Sequence, residues 1–372
     1  MKFCFFGNVS DALKGQTPGG GQLQIALLAK ALAQKGHEVV IVDPYANESF
    51  ETGEGIKLIN VPDWNKGMRG IRLFSHRIPT LKKILLEQNA DYYYIRMRSY
   101  MHLVPYLVAK KMKRKFIVAT AHDLDVLSFK EKYKYEYKPK FNLVQLLTLF
   151  WPSDIVYRYL LKRTDYLILQ HSGQQQGLNI VRGKVGIFPN IFDPKNIQHL
   201  ENHPGDYFIH VGALTVLKGA ENLYNLVRIL DKQTRVVIVG QPKDRRAIEI
   251  YEQLSKLENV TLKGQLNHIE TIQLIADAKA LISTSNYEGF PNIFLEAWAT
   301  GVPVISLKVN PGDVIKKHRL GIYCEGDLEK MKTSMESNAT GCIDRNSLTS
   351  YVSEYHDFHT AADRFLNLIN HL

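Results

Sequence analysis

Three cysteines, Cys4, Cys324 and Cys342, are all that the 372 residues contain. So few, so far apart, exclude a disulfide framework and a close cysteine metal cluster, and they fit a chain kept in a reducing cytoplasm. Long hydrophobic runs are missing too. The longest, FNLVQLLTLFW at residues 141–151, falls well short of the ~20 residues that a membrane-spanning helix needs. The opening MKFCFFGN is broken by Gly7 too soon for a signal peptide and reads as a first strand. The Asn-Ala-Thr triplet at Asn338 then carries no glycosylation meaning. There is no internal repeat and no low-complexity tract. What is left, 45% hydrophobic and 23% charged, suits a soluble globular protein of two ordinary domains.

Acidic residues are scarce in the first half. Residues 1–190 hold 28 Lys and Arg against 15 Asp and Glu, a balance of +13, while residues 191–372 balance at −3. Most of the excess lies between Lys66 and Arg163, so an anionic partner of the first half is expected: a membrane surface, nucleic acid or a phosphorylated substrate.

The hydrophobic pattern alternates strand and helix. KFCFFG, HEVVIVDP, ADYYYIR, KFIVATAHD and TDYLILQHS read as strands, with GQLQIALLAKALAQKG as an amphipathic helix closed by Gly36. A break follows in VGIFPNIFDPKNIQHLENHPGDYF, whose three prolines look like an interdomain linker. A second alternation then runs through YFIHVGAL, RVVIVG, VTLKG, ALISTS and VPVISL with helices between, and two helical segments close the chain. This predicts two α/β, Rossmann-like domains, residues 1–190 and 191–359. Ligands of such sheets sit at the carboxyl ends of strands, so the cleft between domains is the default site.

Four stretches could carry chemistry. In SNYEGFPNIFLEAWATGVPVI, Glu288 lies in a turn and Glu296 inside an apolar helix, with seven residues between them. A buried carboxylate needs donors, and the vicinal hydroxyls of a sugar-like ligand would supply them. Pro291 suits the first helical position, leaving the N–H groups of Asn292, Ile293 and Phe294 toward the cleft. The blander reading makes Glu288 an exposed loop charge and Glu296 half of a structural ion pair. In TPGGGQLQIALLAK the glycines permit close backbone approach ahead of a helix N-terminus, but no Gly-Lys-Ser/Thr follows, which excludes a P-loop. Lys218, in VLKGAENL, stands at a strand–helix junction where a phosphate would meet it. His122, Asp123 and Asp125 follow a buried strand; His122 suits a sugar hydroxyl or a structural contact, and Asp-Leu-Asp has the form of a metal-binding tripeptide.

In family order, PGGG, VGAL…KG, VIVG and EGFPNIFLEAWATGVPVI, together with IFPNIFD, resemble the retaining glycosyltransferases of family 4, which have the GT-B fold of two facing Rossmann-like domains. The resemblance implies that Glu288 faces the donor sugar and Glu296 the ribose of its nucleotide. Phe290, Pro291 and Asn292 would lie against the sugar, Lys218 would hold the diphosphate, and Gly20 and Gly21 would pack against it. Gly264, Gln265 and Leu266 would lie near the base, and His122 beside the transferred sugar. It also implies retention of anomeric configuration with no metal and no cofactor, the donor being a UDP- or GDP-sugar or similar. A helix at residues 360–372 would return to the first domain. Where the family commonly has an arginine, five residues before the lysine, this chain has Ala213; another base substitutes there, or donor binding is weaker.

With the basic first half, the resemblance implies a glycan or lipid-linked acceptor at an anionic membrane surface. KKMKRK, FKEKYKYEYKPK and the apolar run 141–151 are the expected contacts of a protein peripheral to the inner face of the cell membrane. Bacterial surface polysaccharide, such as capsule or lipopolysaccharide, is the expected product, and nucleic acid is not an expected partner. Two alternatives stay open: a sugar-nucleotide epimerase of the same fold, and an NAD-dependent oxidoreductase whose ribose-binding acid would be Asp43, 22 residues after Gly21.

Overall fold

In the computed structural model, all residues are described except 17–18, 69–70, 135–141, 179–180, 199, 201–202, 204 and 338. Part of PGGG, much of FKEKYKYEYKPK and Asn338 therefore lie outside the described residues.

Strand-length apolar runs form two sheets. The first comprises β1 (Lys2–Phe6), β2 (Glu38–Asp43), β3 (Phe50–Glu51), β4 (Ile56–Asn60), β5 (Tyr92–Arg96), β6 (Lys115–Ala119), β7 (Tyr166–Leu169) and β8 (Lys184–Ile187), in the order β3-β4-β2-β1-β5-β6-β7-β8. Every pairing is parallel except β3 with β4. In β1, Phe3 and Phe5 enter one core with Ile25 and Phe365, while Cys4 and Phe6 enter the other with Tyr93 and Phe116. Side chains alternate across a strand, so a run without polar gaps is what burial on both faces requires. Residues 185–187, expected at the start of the linker, instead pair with β7. The VGI triplet is apolar enough to complete the sheet edge, so the break in character comes after Phe188.

The second sheet comprises β9 (Phe208–Val211), β10 (Val236–Val239), β11 (Val260–Gly264), β12 (Ala280–Ser283), β13 (Val304–Ser306) and β14 (Gly321–Tyr323), all parallel, in the order β11-β10-β9-β12-β13-β14. Numbered within its own domain this is 3-2-1-4-5-6, the doubly wound order. The order in which strands are added reverses between β9 and β12, and the crevice beyond their carboxyl ends is where such sheets bind ligands. The last helix, Phe358–His371, packs on the helix Gly20–Gln34 through Phe365 and Ala362, and Lys35 pairs with Asp363 at 2.6 Å. The chain thus crosses back to the first domain.

Candidate active site

The crevice at β9 and β12 faces the carboxyl ends of β1, β5 and β6 across a cavity of about 710 Å³. Gly20, Gly21, His122, Ala213, Lys218, Glu288, Phe290, Pro291, Asn292 and Glu296 all line it. The loop after β12 carries Glu288 into it, and the turn after β9 carries Lys218. Gly219, next to that lysine, has φ +71°, and a Cβ there would collide with the carbonyl oxygen of Thr284. Only glycine lets the two loops close on each other.

Seventy residues apart in the chain, Lys218 Nζ donates to Glu288 Oε1, and Ser285 Oγ donates to the same oxygen at 3.0 Å. Burial opposes ionisation of Glu288; Lys218, His122 and Ser285 outweigh it and hold the carboxyl below its ordinary range. Glu288 is therefore a buried anion rather than an exposed loop charge. His122 Nδ1 accepts from Leu124 N at 3.1 Å, which leaves the proton on Nε2. That Nε2 is buried, has no hydrogen-bond partner among the described residues and belongs to a side chain lining the cavity. An unmet donor and an ionised acceptor beside the same cavity suit a polyhydroxylated ligand.

Glu296 is buried in the helix Asn292–Ala299, and its donor within the chain is His268 Nε2 at 3.3 Å. The bond to Glu296 raises the His268 pKa above its usual value, against the effect of burial. The expected ion-pair partner thus exists, and both groups line the cavity. Gly264, Gln265 and Leu266 do not line it; they stand at and beyond the end of β11, and His268 is the residue of that segment that does. Two local expectations change. Pro291 caps the helix rather than beginning it, and Phe294 N–H donates back to Pro291 O at 3.1 Å. The helix therefore offers the cleft at most the N–H groups of Asn292 and Ile293.

The Asn292 side chain bridges the domains instead of standing free. Its Oδ1 accepts from Gln24 Nε2 at 3.1 Å and from Asn190 Nδ2 at 2.8 Å, while its Nδ2 donates to Gly20 O at 3.4 Å. Asn190 also donates to Phe290 O at 2.7 Å and accepts from Arg96 Nη2 at 2.8 Å, and Gln24 clasps the backbone of Ile191. Sequence reasoning missed Gln24, Arg96, Asn190 and His268. Asn190 alone carried a signal, as the asparagine of IFPNIFD at the domain junction.

The acidic residues weighed for a metal or a dinucleotide make bonds within the chain. Asp125 accepts from Ala121 N and His122 N and pairs with Arg98, while Asp123 is held by His171 and Gln174. Asp43 is fully buried, with Oδ2 accepting from Val9 N and Ser10 N and Oδ1 from Tyr45 N. It supports the loops after β1 and β2.

Two family models match the chain, Glycosyltransferase Family 4 over residues 18–169 and Glycosyl transferases group 1 over residues 192–334. The chain belongs to this glycosyltransferase family and has its GT-B fold. It is 25% identical over 182 residues to the uncharacterized glycosyltransferase MJ1059 of Methanocaldococcus jannaschii, a match covering 43% of this chain and 44% of that one. Sucrose-phosphate synthase from Thermosynechococcus elongatus superposes with a TM-score of 0.76 at 15% identity, covering 100% of this chain and 98% of that one. Anabaena HepE, solved with UDP-glucose, superposes with a TM-score of 0.70 at 16% identity over 100% of both chains.

Proposed function

We propose that this glycosyltransferase moves a sugar, with retention of anomeric configuration, from a nucleoside-diphosphate sugar such as a UDP- or GDP-sugar to a glycan or lipid-linked acceptor. The setting we propose is bacterial surface polysaccharide synthesis at an anionic membrane surface. The observation that carries the reading is the pairing of buried Glu288 with part-exposed Lys218, beside a His122 Nε2 without a partner among the described residues. Glu288 would accept from hydroxyls of the donor sugar and His122 would donate to one. Lys218 would turn to the diphosphate as negative charge develops there, and Glu296 would take the ribose hydroxyls in place of His268. Preorganised positive charge at the departing group is the largest demand of such a transfer. Attack from the leaving-group face, with the donor's own phosphate assisting the acceptor hydroxyl, asks for no nucleophile or metal from the chain. Supporting a nucleotide-sugar donor, the similar HepE fold binds UDP-glucose.

A thermal-shift panel of UDP, GDP, ADP, dTDP and NAD tests the reading. At ~100 times its dissociation constant the right nucleotide should stabilise by about 2.7 kcal/mol, a shift of a few degrees. One nucleoside diphosphate is expected to raise the midpoint, and Glu296→Ala to abolish the rise. A response to NAD alone would overturn the reading.

A further inference from the structure

Among the described residues, the lysines and arginines lining the cavity of about 710 Å³ are Lys30, Arg96 and Lys218. Lys30 pairs with Glu54 at 3.7 Å, and Lys218 donates to Glu288. Arg96, at the end of β5, is 5% exposed, and among the described residues it meets no carboxylate. Its neighbours are neutral. Nη2 donates to Asn190 Oδ1 at 2.8 Å, the Gln170 amide lies 2.9 Å from the same nitrogen, and the Tyr94 hydroxyl is within its reach. Nε is buried and has no hydrogen-bond partner among the described residues. A guanidinium keeps its charge in proteins, and a buried charge without a counterion is costly.

We infer that Arg96 is a donor-binding residue, its guanidinium pairing with the diphosphate of the nucleotide-sugar in place of the arginine absent at Ala213. The inference rests on the proposed donor for the identity of the anion. The position is argued from the cavity itself, which Arg96 shares with Ala213, Lys218, Gly20 and Gly21. Asn190 joins Arg96 to Asn292 Oδ1 at 2.8 Å, and Asn292 Nδ2 donates to Gly20 O. Two hydrogen-bonded side chains therefore separate the guanidinium from the glycine turn. Arg98, two residues on, gives the contrast. It lines a neighbouring cavity of about 310 Å³ and pairs with the buried carboxylate of Asp125 at 2.8 Å. The arginine of that cavity has a counterion from the chain; the arginine of the larger one awaits its anion from a ligand.

The two cations then divide the work. Lys218 must leave Glu288 to reach a phosphate, whereas Arg96 has no ion pair to break. The Asn190 bond orients the guanidinium without neutralising it. A planar guanidinium can present parallel N–H donors to phosphate oxygens, while an ammonium acts as a point charge. Arg96 belongs to the first sheet and Lys218 follows a strand of the second, so a diphosphate between them is held from both domains.

Calorimetry on wild type and variants tests this with two ligands, the nucleoside diphosphate that raises the thermal midpoint and its parent nucleoside. Arg96→Gln keeps a polar side chain beside Asn190 and removes the charge. It should weaken the diphosphate about 10- to 100-fold and leave the nucleoside unchanged. Arg96→Lys, which keeps the charge, should show a smaller loss of the same selective kind, and it decides the matter where Arg96→Gln does not fold. Ala213→Arg placed in Arg96→Gln should recover most of the diphosphate affinity. Equal weakening of both ligands would assign Arg96 to holding the junction through Asn190 and overturn the inference, as would undiminished diphosphate binding. The transfer reading survives either result, because the wild type still binds the nucleotide. A wild type that binds none of UDP, GDP, ADP and dTDP would sink that reading and this inference with it.

Discussion

Glu288 ties chemistry to a single residue. Its carboxylate is held ionised by Lys218 beside it; in the proposed transfer the pair would exchange partners with a sugar and a diphosphate. Glu288→Gln keeps the volume and removes the charge. Transfer from the nucleotide-sugar should then fall by about 10² to 10³ in kcat, measured as release of nucleoside diphosphate. Binding of the free nucleoside diphosphate, which has no sugar for Glu288 to contact, should be retained. Equal loss of both would assign Glu288 to loop structure instead.

Among the elements, the junction after β8 matters most. Asn190 joins three parts of the chain: it accepts from Arg96 at the end of β5, donates to Phe290 O ahead of the helix Asn292–Ala299, and accepts through its own carbonyl from His356 Nδ1 at 2.6 Å. Asn190→Ala keeps only the last of these. It leaves the carbonyl of buried Phe290 without this donor, and leaving such a group unmet costs about 1–3 kcal/mol. A loss of about 2 kcal/mol is expected in urea unfolding. A single transition at lower urea would mean that the domains still unfold together; two transitions would mean that this junction is what couples them.

For the molecule as a whole, acid is the informative stress. Burial pushes His102 down to about 3, His210 to about 4 and His356 to about 3. In the unfolded chain each would titrate near 6.5. Below that pH the unfolded state binds protons that the fold refuses, so stability falls as pH drops. Three such groups impose a slope of up to about 4 kcal/mol per pH unit between about pH 6 and pH 4. Thermal midpoints at pH 7.5 and pH 5 check this, and equal midpoints would show these histidines protonated in the fold.

The local pattern determined the alternation of strands and helices, because periods of two and of 3.6 are properties of neighbouring residues. The glycine loop, Lys218 and the Glu288–Glu296 spacing likewise carried the family. Short or edge strands such as β3, β8 and β14 escaped, since so few residues make no period. Only the tertiary structure decided what each charge meets: Lys218 reaches Glu288, His268 reaches Glu296, and Asp43 turns inward to a loop. It also decided that the apolar run beginning in the 141–151 segment stays open to water along one side. A sequence says which residues share a face, but what covers that face depends on segments far along the chain.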